Sequence, residues 1–137
     1  MKLSVKSDYA ARAILGLARR FSTGTALRIE DLAAEQGIPA NYLVQILLEL
    51  KSKGIVHSLR GKEGGYLLGR PPAQITLGDV LRAVDGTVFY TPALDDPACP
   101  PELRSAWKHL QQTLDLTAGT ITFQRLMDEE QEKMYYI

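Results

Sequence analysis

The chain of 137 residues has one cysteine, Cys99, and two histidines, His57 and His109. A lone thiol excludes an internal disulfide and suits a reducing compartment. No metal-ligand set of familiar spacing can be assembled from so few donors. Neither histidine belongs to a nucleophile–base pattern, and no phosphate loop is present, so an enzyme is the weakest functional class. No apolar run approaches the roughly 20 residues that cross a bilayer. The opening residues Met1-Lys2-Leu3-Ser4-Val5-Lys6 lack the apolar block and small-residue cleavage site of a secretory leader. The expectation is a cytoplasmic protein that makes no membrane contact. Its length suits one core rather than two independent domains.

Net charge is also absent, which argues against nucleic acid until the chain is divided. Residues 1–70 carry 11 Lys and Arg against 6 Asp and Glu, whereas residues 71–137 carry 5 against 10. A basic half followed by an acidic half suits a phosphate-binding part joined to a part with another task.

Apolar residues recur at helical spacing from Lys6 to Phe21, with Ser4 or Ser7 available as a cap. A short helix is expected over Ile29 to Gln36, stopped by Gly37, and a second over Ala40 to Lys53, closed by Gly54. The second carries one apolar stripe of Leu43, Ile46, Leu47 and Leu50. Two short helices with glycine at the corner form the helix-turn-helix pattern, because the steep exit needs a residue of positive φ. Ile55 to Arg60 and Tyr66 to Leu68 then flank Gly61-Lys62-Glu63-Gly64-Gly65, a hairpin with a charged, glycine-rich loop. A hairpin placed directly after a helix-turn-helix is a wing. Arg60 and Lys62 are suited to a groove or to phosphates, and the glycines let the backbone come close.

Pro71-Pro72 interrupts the chain, and Thr76-Leu77-Gly78-Asp79 resembles a capping box that opens a helix through Val84. Residues 87–101, rich in proline and aspartate, read as a loop. Leu103, Trp107, Leu110 and Leu114 form a seam on a helix from Glu102 to about Thr117, wide enough for its own chain and a second copy. Thr122 caps a last helix, Phe123 to Lys133. The expected architecture is mainly α with a small β-wing. Residues 1–86 form a winged helix-turn-helix, 87–101 a loop, and 102–137 a dimerisation helix and tail.

Several of these segments together resemble the Rrf2 regulators: Met1 to Ala10, Gly37-Ile38-Pro39, Tyr42-Leu43, Gln45-Ile46-Leu47, Gly54 to Gly61, Gly64 to Leu68 and Ile75 to Val80. The resemblance covers nearly the whole chain and is closest to the cluster-free, cysteine-controlling members. It implies a homodimeric transcription regulator, most simply a repressor, on a palindromic operator of double-stranded DNA. The recognition helix would be Ala40 to Lys53, with Ala40, Asn41, Tyr42, Val44 and Gln45 facing the groove. Asn41 or Gln45 can pair an adenine edge bidentately, and Tyr42 suits a phosphate or base edge. Many members carry an acid at the place of Val44, so this operator is expected to differ. Arg60 matches the wing arginine that enters the minor groove. Arg28, Lys51, Lys53, Ser58, Lys62, Gly64 and Gly65 complete the expected DNA-binding set.

Other members hold an iron–sulfur cluster on three loop cysteines, because soft thiolates suit iron and bridging sulfide. Here the loop offers Cys99 alone, with Pro101 and Ser105 nearby. Asp8 matches a carboxylate ligand of some members, and His109 adds a nitrogen in principle. One thiolate per chain is too few, so no metal or cofactor is expected. Cys99 remains a redox candidate in a loop expected to be exposed, although Asp95 and Asp96 disfavour its thiolate. The tail, ending Met134-Tyr135-Tyr136-Ile137, is similar to that of family members that work with cysteine synthase, with Tyr136 and Ile137 as the inserting residues. Two alternatives accompany a sulfur-gene repressor. One is a redox- or small-molecule-sensing regulator of the same family, and the other is an interaction module that restrains cysteine synthase.

Overall fold

A computed structural model describes residues 2–135 of the chain. The elements run α1 (Val5–Ala18), α2 (Ile29–Gln36), α3 (Ala40–Ser52), β1 (Val56–Leu59), β2 (Gly65–Leu68), α4 (Leu77–Asp85), α5 (Pro101–Thr120) and α6 (Phe123–Tyr135). The mainly helical architecture with a two-stranded antiparallel wing is the one expected from the sequence.

Ser4 caps α1 by accepting a hydrogen bond from the Ser7 amide at 3.0 Å. The Ser7 hydroxyl, fully buried, donates to the Asp85 carboxylate, and Ser4 donates to the same oxygen at 2.9 Å. These bonds join the start of α1 to the end of α4. The inward residues of α1 are Ala10, Ala13, Ile14 and Leu17. Of the seven buried residues of α1, five are small (Ser7, Ala10, Ala13, Gly16 and Ala18), which lets α2, α3, α4 and α6 all approach it. The helix expected to reach Phe21 stops at Ala18, and Phe21–Thr23 form a single 3-10 turn closed by Gly24. Phe21 therefore lies largely outside the core.

The C-terminal segment returns to this core. Leu77 N–H donates to Ile121 O at 2.8 Å and Phe123 N–H to Ile75 O at 3.1 Å, an isolated antiparallel bridge. The bridge delivers the Phe123 ring, fully buried, among the residues of the winged region. Arg19 and Glu130 pair at 3.1 Å and tie α6 to the end of α1. α5 itself is poorly covered. Only Ala118 of its 20 residues is buried, and Leu103, Leu110 and Leu116 are 46%, 40% and 73% exposed. Trp107 and Leu114 on the same seam are half-buried.

The loop ahead of α5 corrects the sequence reading. It contains a 3-10 turn, Pro92–Asp95, and the end of the loop is held by Arg104, whose guanidinium donates to Asp96 O at 2.6 Å and Cys99 O at 3.0 Å. Asp96 accepts from the Ala98 amide at 2.9 Å, which turns the chain inward. Cys99 is consequently buried, 8% exposed, with Sγ 3.7 Å from Pro100 O. The exposed thiol expected of a proline-rich loop is not what these bonds produce.

Thr76 and Asp79 form the capping box anticipated at α4, with side chain and backbone bonded in both directions at 2.9 and 3.0 Å. Burial pushes the Asp79 carboxyl upward. The Thr76 hydrogen bonds, with Arg70 and Arg82 alongside, outweigh that and hold it below its ordinary value of 3.8. A carboxyl with a lower pKa folded than unfolded contributes stability above its unfolded value and loses it as pH falls through the lowered one. Urea unfolding followed from neutral pH to below 3.8 should therefore show a loss to which Asp79 contributes. Asp79→Asn should cost about 1 kcal/mol near neutrality and flatten that acid limb; an unchanged limb contradicts the assignment.

Candidate nucleic-acid interface

The α2–α3 corner turns at Gly37, whose φ of 67° and ψ of 38° are left-handed. The Gly37 and Ile38 amides both donate back to Ala33 O, and Pro39 precedes the first turn of α3. From this corner α3 lays Leu43, Ile46, Leu47 and Leu50 into the core. Its opposite side presents Ala40, Asn41 and Gln45 to solvent, with Val44 half-buried beside them. Tyr42 is partly packed and partly open. Its ring meets Tyr9 of α1 edge-on at 5.6 Å between centroids, yet the residue is 41% exposed. Arg12 stacks over Tyr9 at 5.5 Å and pairs with Asp8 at 2.8 Å. Asp8 is thus engaged within its own helix.

The wing is braced by a contact that the sequence did not reveal. Leu27, just before α2, exchanges both backbone hydrogen bonds with Tyr66 at 3.0 and 2.8 Å and so adds a third partner to the hairpin. A bridge of one residue carries no periodicity to detect. Gly65 lies beneath it with φ 150°, and a Cβ there would fall 2.5 Å from Leu27 O. Gly64 is buried over the Leu59 carbonyl. Both glycines therefore shape the wing backbone. Arg28 also acts on the wing, because its Nη2 donates to Lys62 O at 2.7 Å and holds the loop to the start of α2. Arg60 and Lys62 are exposed at the tip and Ser58 is half-buried. Arg28, Ser58 and Arg60 share with Glu30 the wall of a groove of about 370 Å³ between wing and α2.

Arg28 is brought together with the wing residues Ser58, Arg60 and Lys62. Lys51 and Lys53 are exposed at the far end of α3, and Lys53 lines a separate pocket at the wing's base. Cys99 and the α5 seam belong to the other half of the molecule. Tyr136 and Ile137 lie outside the described residues.

This outward helix face and braced hairpin match known proteins. The family model described as "Rrf2: Iron-dependent Transcriptional regulator" matches residues 3–129. The chain belongs to the Rrf2 family of transcriptional regulators. It is 31% identical to the regulator CymR of Bacillus subtilis, with all of both chains covered. It is 50% identical to Rv1287 of Mycobacterium tuberculosis over 86 residues, which is 63% of this chain and about half, 53%, of that relative's length. Among solved structures, IscR of T. potens superimposes with TM-score 0.82 at 27% identity, covering 97% of this chain and 90% of that one. CymR of B. subtilis, titled the global cysteine regulator, also gives TM-score 0.82 at 27% identity, covering 94% and 98%. The α3–wing unit is the winged helix of an Rrf2 regulator.

The iron in the family's description does not fit the residues present here. Iron–sulfur clusters need several thiolates, and this chain has one cysteine, whose thiol is buried against Pro100 O in a loop held by the Arg104 cation. Among the described residues no three of His, Cys, Asp and Glu gather as a metal site.

The Arg28–Lys62 bond predicts that Arg28 positions the wing rather than holding a phosphate. Arg28→Ala should weaken operator binding about tenfold. Arg28→Gln, which keeps a donor without the charge, should restore most of it, and neither should alter the salt slope. Loss of about one unit of slope in both variants, measured by anisotropy, would make Arg28 a phosphate contact instead.

Proposed function

We propose that this Rrf2 regulator is a cluster-free homodimer that represses its genes by occupying a palindromic operator. The observation that carries the reading is an outward polar start of α3 in one winged fold with a basic wing tip that is fastened to the start of α2. Asn41 and Gln45 read base edges in the major groove. Tyr42 reaches a phosphate or base edge from a ring anchored on Tyr9. Arg60 enters the neighbouring minor groove and Lys62 neutralises backbone phosphate. Repression by occupancy is a mode that a bound dimer supports by itself, since it covers promoter sequence.

The homodimer rests on α5. Twenty residues at 1.5 Å each make a rod of about 30 Å, and its exposed Leu103, Leu110 and half-buried Trp107 and Leu114 form one continuous seam. A second α5 covers that apolar surface and relates the two recognition helices by a two-fold axis, which is why the operator is palindromic. The end-to-end likeness to CymR supports control of cysteine or other sulfur genes. Cysteine synthase, the partner to which the tail pointed, belongs to the same reading. The buried position of Cys99 counts against a peroxide-sensing alternative.

Operator fragments selected from random duplexes provide the test. The logarithm of affinity should fall linearly with that of salt, by roughly 0.9 per phosphate contact. Lys62→Ala should reduce the slope by about one unit and weaken all sequences alike. Binding that barely responds to salt would remove the winged surface as the contact.

A further inference from the structure

A second basic site lies away from the wing tip. Lys53 at the end of α3, Ile55 and Arg70 at the base of the wing, and Asp79, Arg82 and Ala83 of α4 line a pocket of about 250 Å³. Four residues of strand at about 3.3 Å each place it roughly 13 Å from the tip. Three cations and one carboxylate face it, a net charge of +2. That carboxylate is already engaged, since Asp79 Oδ2 accepts from the Thr76 amide at 2.9 Å and Oδ1 and Oδ2 meet Arg82 and Arg70 at 3.4 Å. At 3.4 Å these arginine contacts are longer than a charge-assisted bond, which closes to about 2.8 Å. Arg70 Nε is buried with no acceptor among the described residues. Lys53 has no ion-pair partner among them. Three cations that share two carboxylates, those of Asp79 and Asp115, with a buried guanidinium donor left over, favour a further acceptor.

We propose that this pocket binds a small polyvalent oxoanion of the phosphate type. Its oxygens take the spare donors of Arg70 and Arg82 in forked geometry, while Lys53 supplies a point charge at the rim. Arg82 also meets Asp115 of α5 at 3.4 Å. An occupant therefore touches the end of the recognition helix, the wing base and α4, and α5 is linked to it through the Arg82–Asp115 pair. The same chemistry has two sources, a free oxoanion and a backbone phosphate of DNA. The assignment of an oxoanion to the pocket holds or fails by phosphate binding, and only the choice between the two sources rests on the operator reading.

The test is a ¹H–¹⁵N titration of the full chain with inorganic phosphate at constant ionic strength, balanced with chloride. Saturable shifts confined to Lys53, Arg70, Asp79, Arg82 and Ala83 and their neighbours are expected. Arg70→Gln should weaken them about tenfold or more, and Lys53→Gln should weaken them less, with circular dichroism unchanged in both. Non-saturating shifts spread over the surface overturn the proposal, as do saturable shifts that both variants leave intact. Phosphate shifts that persist in the presence of operator support a free oxoanion, and shifts that operator abolishes support a DNA phosphate as the occupant.

Discussion

Burial of Leu43, Ile46, Leu47 and Leu50 against α1 and α2 is the contact on which the rest of the molecule depends. Each is removed from water almost completely, and each such burial stabilises by about 1.5–3 kcal/mol. Because the four share one face of α3, they fix the rotation of that helix about its axis. Asn41 and Gln45 point outward only because this stripe points inward. Tyr42 adds a second stop, since its edge contact with Tyr9 limits how far the first turn can roll. The chemistry that a regulator shows to DNA is thus the reverse side of its core.

The wing depends on a similar economy of backbone contacts. A two-stranded hairpin alone is marginal in water, and four-residue strands bury little. Here the Leu27–Tyr66 bridge, possible because Gly65 has no Cβ, fastens the hairpin to the segment that starts α2. Arg28 then ties the tip to the same segment. The two contacts restrain the distance between the wing and the helix corner that α2 leads into. The proposed reading of two grooves at once needs that distance fixed before binding.

Much of this was legible in the residues. Period-3.6 stripes placed α1 and α3, glycine marked the corner at Gly37, and Thr76 with Asp79 announced the start of α4, because these features depend on neighbours in sequence. Long-range features were not legible. Nothing near Phe123 says that its ring enters the core of the winged region, or that Leu27 pairs with Tyr66. The end of α1 was read too long because Phe21 continues the apolar pattern while facing outward. The burial of Cys99 was missed for a comparable reason, since Arg104 sits beyond two prolines and folds the loop over the thiol through main-chain carbonyls. Of the candidate site, the exposed face of α3 and the wing cations were readable, whereas the part of Arg28 in bracing the wing required the structure.

One half of the chain therefore provides a braced reading surface and the other an apolar rod that asks for a partner, with α6 binding the two through Phe123 and the Arg19–Glu130 pair. The central claim is that the outward face of α3 reads sequence while the wing and its cations supply position. The most direct measurement is the ratio of operator to random-duplex affinity for the wild-type chain and for Asn41→Ala and Gln45→Ala at one salt concentration. A ratio that falls by about 5- to 150-fold in at least one variant, with affinity for random duplex unchanged, is the result the account predicts. A ratio unchanged in both variants, or a loss shared equally by operator and random DNA, would contradict it.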